Sequence, residues 1–173
     1  MHCTIERVSG IDLVRKACEA TMRRQKSSMS YDKIYQCEHS PIRCSIFFIS
    51  LYNIPSFCSV HLVRHKHGVE HFVMSARSDR GGSGEENRLS PVNHSMLINA
   101  QALIAMGRKR LCSQASIETQ QVFNMIKNTL EEVDPYLTNY LVVECEYRGG
   151  ICPELKSCNR FLQYLPKTNI PTS

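Results

Sequence analysis

The sequence predicts an α/β fold of the α+β kind, with a small mixed or antiparallel sheet packed against long helices. Three observations carry this. Residues 46–51, Ile-Phe-Phe-Ile-Ser-Leu, form an apolar run too short for a typical helix and rich in β-branched and aromatic side chains, which reads as a buried strand. Residues 69–77 alternate in character, so 69, 71, 73, 75 and 77 share one face of a second strand. Elsewhere apolar residues recur at helical spacing. The 173 residues suit one domain spanning 1–173. With 42% hydrophobic and 21% charged residues, the chain is not a largely disordered one. No apolar stretch reaches the roughly 18 residues of a membrane span. Residues 1–13 lack the apolar run of a signal peptide. A cytoplasmic protein with no membrane partner is expected.

The elements follow in order. Ser9 is placed to cap a first helix, with Asp12 three residues on as its capping-box partner. Ile11, Val14, Cys18 and Met22 then recur at helical spacing, and the helix should run to about Arg24. Residues 25–30 are polar and read as a loop. After the strand at 46–51, Asn53, Pro55 and Ser56 punctuate the chain. Phe57, Val60, His61 and Arg64 follow at helical spacing. This helix delivers a basic cluster at its C-terminal end, where the helix dipole favours cations. The alternating strand points Ser75 and Arg77 the same way. Residues 79–91, with Gly81-Gly82-Ser83-Gly84, read as a flexible loop. A helix is expected from about 93 or 95 to 110, and another from Ser113 to Asp134, where Pro135 ends it. The stripe of the second is Ala115, Val122, Ile126, Leu130 and Val133. Residues 140–143 suggest a strand, and the tail from about 160 is expected to be loose.

The formal charge of +5 suits an anionic partner: a nucleotide, a phosphate-bearing cofactor or nucleic acid. Basic groups cluster at Arg23-Arg24-Gln25-Lys26, at Arg64-His65-Lys66-His67 and at Arg108-Lys109-Arg110. No basic run is interleaved with aromatics as in a stacking platform, which argues against nucleic acid. The nine cysteines are odd in number and scattered, and read as small apolar residues of a reducing compartment. Cys145, Cys152 and Cys158 lack the tight pairing of a zinc site, and no metal is expected. The most distinctive string is His61-Leu62-Val63-Arg64-His65-Lys66, followed by Met74-Ser75-Ala76-Arg77. Arg offers a planar fork for phosphate or a uracil edge and Lys a point charge. A Ser and an Arg on one strand face complete an anion pocket. The same residues also fit a solvated basic turn before an edge strand.

Three motifs in order resemble the flavin-dependent thymidylate synthase family. Its signature is Arg-His-Arg, seven or eight residues, then Ser-x-Arg-Tyr. This chain has Arg64-His65-Lys66, eight residues, then Ser75-Ala76-Arg77-Ser78. Upstream, Glu38-His39-Ser40-Pro41 and the strand at 46–51 match a His-Glu-Ser/Thr-Pro-like turn and a Phe-rich strand. Downstream, Asn99-Ala100-Gln101, Arg110 and Ala115-Ser116-Ile117-Glu118 are similar to the family's Asn-Ala-Arg, the Arg eleven residues on and Ala-Gln-Trp-Glu. Gly150-Ile151-Cys152-Pro153-Glu154 is similar to a tail found in some members. The chain departs from the pattern at Lys66 for Arg, Ser78 for Tyr, His61 for Gln, Gln101 for Arg and Arg43 for Glu. Its segment between the signature and Asn99 is also shorter.

The resemblance implies an enzyme that binds FAD and methylates dUMP at C5, with methylenetetrahydrofolate as carbon donor and NADPH as reductant. It implies that Arg110 polarises the pyrimidine and that Ser75 joins it in catalysis. His61, Arg64, Ser75, Arg77 and Arg110 would hold the nucleotide. Ser40, Arg64, His65, Lys66 and Asn99 would hold the flavin. Asn99 and Arg110, eleven residues apart, fall on one helix face about 16 Å apart along the axis, a span for an extended ligand. The family is a homotetramer whose sites are shared between subunits. Two alternatives stay open: a hydroxymethylase acting on dUMP or dCMP, and a non-catalytic nucleotide- or nucleic-acid-binding homologue.

Overall fold

The computed structural model describes residues 1–23, 29–84 and 87–165. Strands β1 (His2–Arg7), β2 (Ile46–Pro55), β3 (Val69–Val73) and β4 (Pro91–Asn99) form an antiparallel sheet in the order β1-β2-β4-β3. The register sets Ile5, Ile49, Met96 and His71 in one row across the sheet, and Cys3, Leu51, His94 and Val73 in another. These rows face inward, apart from Val73 at the exposed end of β3. Helices α3 (Ser56–Val63), α4 (Ala100–Arg110) and α5 (Ile117–Val133) pack against the strands there. Phe47, Ile49, Met96, Ile98, Leu103 and Phe123 are fully buried between the layers. The opposite face carries Glu6, Phe48, Leu97 and Glu70 in one row, and Thr4, Ser50, Ser95 and Phe72 in the next. Helices α1 (Ile11–Ala20) and α2 (Tyr31–Cys37) and a 3-10 turn at Ser40–Cys44 lead into β2, and the short α6 (Pro135–Thr138) and α7 (Glu144–Tyr147) follow α5. No described helix is long and apolar enough to cross a membrane. All nine cysteines are free, four of them buried.

Several expectations change. The first helix is capped by Gly10, not Ser9, and ends at Ala20. The Ser9 hydroxyl instead donates to the Cys44 carbonyl and accepts from the Ile46 amide, tying the helix entry to β2. Residues 25–28 of the expected loop at 25–30, with most of the Arg23–Lys26 cluster, lie outside the described residues. Ser30 accepts from the Lys33 amide at 3.2 Å and caps α2, a helix the sequence did not announce. Strand β1 was likewise unforeseen; it is a six-residue edge strand of mostly polar residues.

The helix after β2 forms, but it buries Phe57, Cys58 and Leu62 and leaves Val60 55% exposed. The alternating strand stops at Val73, so Ser75 and Arg77 do not share a strand face. In the loop expected to be flexible, the amides of Gly82 and Gly84 fold back onto the carbonyls of Arg77 and Ala76, both at 2.9 Å. Residues 85 and 86 of that loop lie outside the described residues.

Pro91–Asn99 is a strand, where a helix had been expected. Val92, His94, Met96 and Ile98 alternate inward, and pairing on both sides, to β2 and β3, satisfies the backbone. The long helix begins at Ile117 behind Ser116, not at Ser113, which leaves Ala115 outside it; Asp134, the expected end, caps the next turn. Residues 140–143 form no strand; Leu141 and Val143 plug the core between α6 and α7. The tail holds a 3-10 turn at Arg160–Tyr164, and residues 166–173 lie outside the described part.

Candidate functional site

The candidate residues gather at the two ends of α4. At its C-terminal end stands Arg110. Its Nε donates to His65 Nε2 at 3.0 Å, and its NH2 donates to the His61 carbonyl at 2.6 Å. The guanidinium thus satisfies a carbonyl that the end of α3 would leave open. Accepting at Nε2 puts the proton of a neutral His65 ring on Nδ1. Burial, then the Arg110 charge and His71, push the His65 pKa down to about 4, so this neutral form holds at pH 7. His61 is lowered by burial, Arg110, Arg64 and Arg88, in that order. Its Nδ1 lies 2.9 Å from the buried Thr119 hydroxyl on α5. Burial and the neighbouring Arg64 lower Arg110 as well, but a guanidinium stays charged. The result is a fixed, partly desolvated planar cation beside a neutral imidazole. Such a cation stabilises negative charge that develops on a bound ring.

At the N-terminal end of α4 lies a cleft of about 520 Å³, lined among others by Glu38, Arg43, Gly68, Asn99, Gln101 and Arg108. Asn99 caps the helix, its Oδ1 accepting from the Ala102 amide at 2.9 Å, while its backbone N–H donates to the Gly68 carbonyl at 3.0 Å. Gly68 has φ +74, and a Cβ there would sit 2.5 Å from Asn99 Nδ2, so the position admits only glycine without displacing the cap. Arg108 pairs with Glu38 and lies over the Tyr147 ring, yet its Nε is buried with no hydrogen-bond partner. Arg43 Nε donates to Gln101 Oε1. Two guanidinium groups against one carboxylate leave the cleft with positive charge suited to an anion.

Of the sequence-predicted site residues, His61, Arg64, His65 and Arg110 come together, and Asn99 lies at the other end of the same helix. Lys66 is exposed on the turn between the two groups. Ser75 and Arg77 make local bonds: Ser75 Oγ accepts from the Arg77 amide at 3.3 Å, and Arg77 forms a forked pair with Asp79 at 2.9 and 2.7 Å. Ser40 lines a different cleft, with Cys18, Met29 and Ile34. Glu38, Gly68 and Arg108 were not foreseen as cleft residues. Glu38 and Arg108 each open a string quoted above and Gly68 follows another, and that placement is the signal that could have found them.

The sequence matches no protein-family model and no curated protein. The fold has counterparts among solved structures, among them a flavin-dependent thymidylate synthase and a UMP/dUMP methylase. Thymidylate synthase X (ThyX) from Helicobacter pylori, solved with FAD and dUMP, aligns at a TM-score of 0.65 and 12% identity over 82% of this chain and 99% of that one. A second structure of the same enzyme, also with FAD and dUMP, aligns at 0.66 and 12% over 82% and 100%. The UMP/dUMP methylase PolB from Streptomyces cacaoi, bound with 5-Br dUMP, aligns at 0.59 and 14% over 80% and 94%. The chain therefore has the fold of the flavin-dependent thymidylate synthases.

Proposed function

We propose that the protein is a flavin-dependent enzyme that methylates dUMP at C5 to give dTMP, taking the carbon from methylenetetrahydrofolate and electrons from NADPH. The observation that supports this most is the joining of His65 to Arg110. Two separate motifs of the sequence resemblance meet in one hydrogen bond, on a fold that neighbours solved with FAD and dUMP share. Arg110 would stabilise negative charge on the pyrimidine as C5 becomes nucleophilic. His61 and Arg64 flank it, and Ser75 and Arg77 would close onto the nucleotide from the loop after β3.

The cleft residues fit a flavin dinucleotide. Arg108 Nε is a buried donor lacking a partner, and the bare Gly68 backbone leaves room where any side chain would intrude. Arg43, Arg108 and Asn99 would hold the phosphate-bearing part, with His65 and Lys66 on the approach and Ser40 beyond. A reduced flavin held there would supply the electrons that complete the transferred methyl group. The chain's residues orient the ligands, exclude water and place charge. A cleft of about 520 Å³ suits one ligand of drug size, and FAD, dUMP and folate, three ligands, must meet for the carbon transfer, which supports sites shared within a homotetramer. Nine free cysteines suit the reducing cytoplasm.

The test is direct. Purified protein supplied with FAD should show a perturbed flavin absorbance, and mass spectrometry after incubation with dUMP, folate and NADPH should show the methylated nucleotide. A hydroxymethylated product, or turnover of dCMP alone, would replace this reaction with its nearest alternative. Loss of all FAD on equilibrium dialysis, in every oligomeric state, would overturn the reading.

A further inference from the structure

Behind Arg110 runs a row of polar side chains, Ser59 and His94 buried and His71 half-buried, that the proposed chemistry does not use. His94 is fully buried on the inner face of β4, and His71 faces the same side of the neighbouring edge strand β3. Ser59 Oγ on α3 lies 2.9 Å from His94 Nδ1. His94 Nε2 lies 2.9 Å from His71 Nδ1, and His71 Nε2 lies 2.8 Å from the His65 carbonyl oxygen. The two rings meet edge to face, their centroids 5.1 Å apart.

With both rings neutral, the direction of every bond in this chain follows from its last atom. A carbonyl oxygen only accepts, so His71 Nε2 carries the hydrogen. A neutral His71 then has a bare Nδ1, so His94 Nε2 must donate to it. His94 Nδ1 is then bare in turn and accepts from the Ser59 hydroxyl. Burial, with His71 beside it, holds the His94 pKa down to about 4, so the neutral form prevails at pH 7. His65 is thereby held at three points. Its amide donates to the Leu62 carbonyl at 3.0 Å, its carbonyl accepts from His71, and its ring accepts from Arg110.

We propose that His71 and His94 are positioning residues: the chain from Ser59 pins the His65 main chain, and so holds the His65 ring against Arg110 before any ligand arrives. The inference builds on the role proposed above for Arg110, but its core, the set of tautomers, is measurable without ligand or turnover. An apolar core would pack these positions without such a chain. Two adjacent imidazoles in a sheet interior are costly unless each nitrogen is satisfied. Here all four are, and the chain ends on the residue whose ring meets Arg110.

The experiment is imidazole 15N NMR on histidine-labelled protein at pH 7, beside kinetics of two substitutions. His71 and His94 should both appear as Nε2–H tautomers and His65 as the Nδ1–H tautomer. His71→Phe fills the space but removes the donor to the His65 carbonyl. His65 should then lose its single tautomer, and single-turnover rate should fall about tenfold or more, with nucleotide KM changed by less than about threefold. His71→Gln, which keeps an N–H for that carbonyl, should recover most of both signals. Other tautomers in the parent protein overturn the proposal. So does a His71→Phe protein whose His65 signal and rate match the parent, or a His71→Gln protein that falls as far as His71→Phe. If His71→Phe fails to fold, the parent's tautomers and the His71→Gln protein still decide. A protein that binds neither FAD nor nucleotide refutes the functional reading instead, and the NMR arm then judges the chain alone.

Discussion

At the scale of single residues, Arg110 carries the sharpest expectation. Lysine keeps the charge at Arg110→Lys but loses the planar fork whose separate nitrogens reach His65 Nε2 and the His61 carbonyl. Turnover should fall by about a hundredfold or more while nucleotide affinity changes less, read by single-turnover flavin oxidation beside calorimetric titration. Turnover at the parental rate would remove Arg110 from the chemistry. Arg77 is the contrasting case. Its pair with Asp79 is exposed, and such pairs contribute about 0–1 kcal/mol. Arg77→Ala should therefore leave the melting temperature nearly unchanged. If Arg77 holds the nucleotide by charge-assisted bonds, the same change weakens its binding by about 2–3 kcal/mol, with FAD binding less affected. Normal nucleotide binding would strike Arg77 from the site.

At the scale of elements, α4 organises both clusters, and its Asn99 cap and the Gly68 turn packed against it depend on each other. Asn99→Ala removes the side-chain acceptor for the Ala102 amide and should cost about 1 kcal/mol of stability. Asn99→Ser keeps a cap and should recover most of it, as urea denaturation would show; equal losses from both changes would mean that the side chain acts elsewhere. How far α4 was legible in the sequence is instructive. Its C-terminal end at Arg110 was foreseen, because charge and spacing announce it. Its start was placed several residues early, because Val92, His94, Met96 and Ile98 alternate with period 2 while some of those same residues also fit a helical spacing. Long-range pairing to β2 and β3, which no local pattern records, decided for a strand. Edge strand β1 escaped for the same reason. The Arg64-His65-Lys66 group was legible as a motif, but its partner Arg110 was placed near it only by the resemblance. The exchange at Arg43 and Gln101 looked like two unrelated departures in the sequence, and the fold makes them one, since the two side chains bond to each other.

At the scale of the whole molecule, the buried histidines tie stability to pH. The folded-state pKa of His94, about 4, lies below its ordinary value of 6.5. As pH falls the unfolded chain takes up that proton first. The contribution is thus whole above about 6.5 and is lost progressively toward 4, amounting to about 3 kcal/mol for His94, with His65 acting in the same direction. Urea midpoints measured between pH 7 and about 4.5 should fall in the parent and fall less in His94→Gln; an equal slope would exclude His94 as the source. Assembly is the other property of the whole. Helices cover one face of the sheet, while on the other Phe72 is 55% exposed and its ring lies 6.2 Å from that of Phe48, beside Leu97 in the next row. This apolar strip, edged by Glu6 and Glu70 in one row and by Ser50 and Ser95 in the next, suits a second copy of the same surface, since closed symmetric contacts reuse one patch on both subunits. Light scattering should therefore give a tetramer, or at least a dimer. Phe72→Asp should shift it toward monomer with the circular dichroism spectrum unchanged. Because the cleft of one chain suits a single ligand of the three, FAD retention should fall together with assembly. A strictly monomeric protein that still turned over would show that one chain builds the whole site, and Phe72 would then face solvent for some other reason.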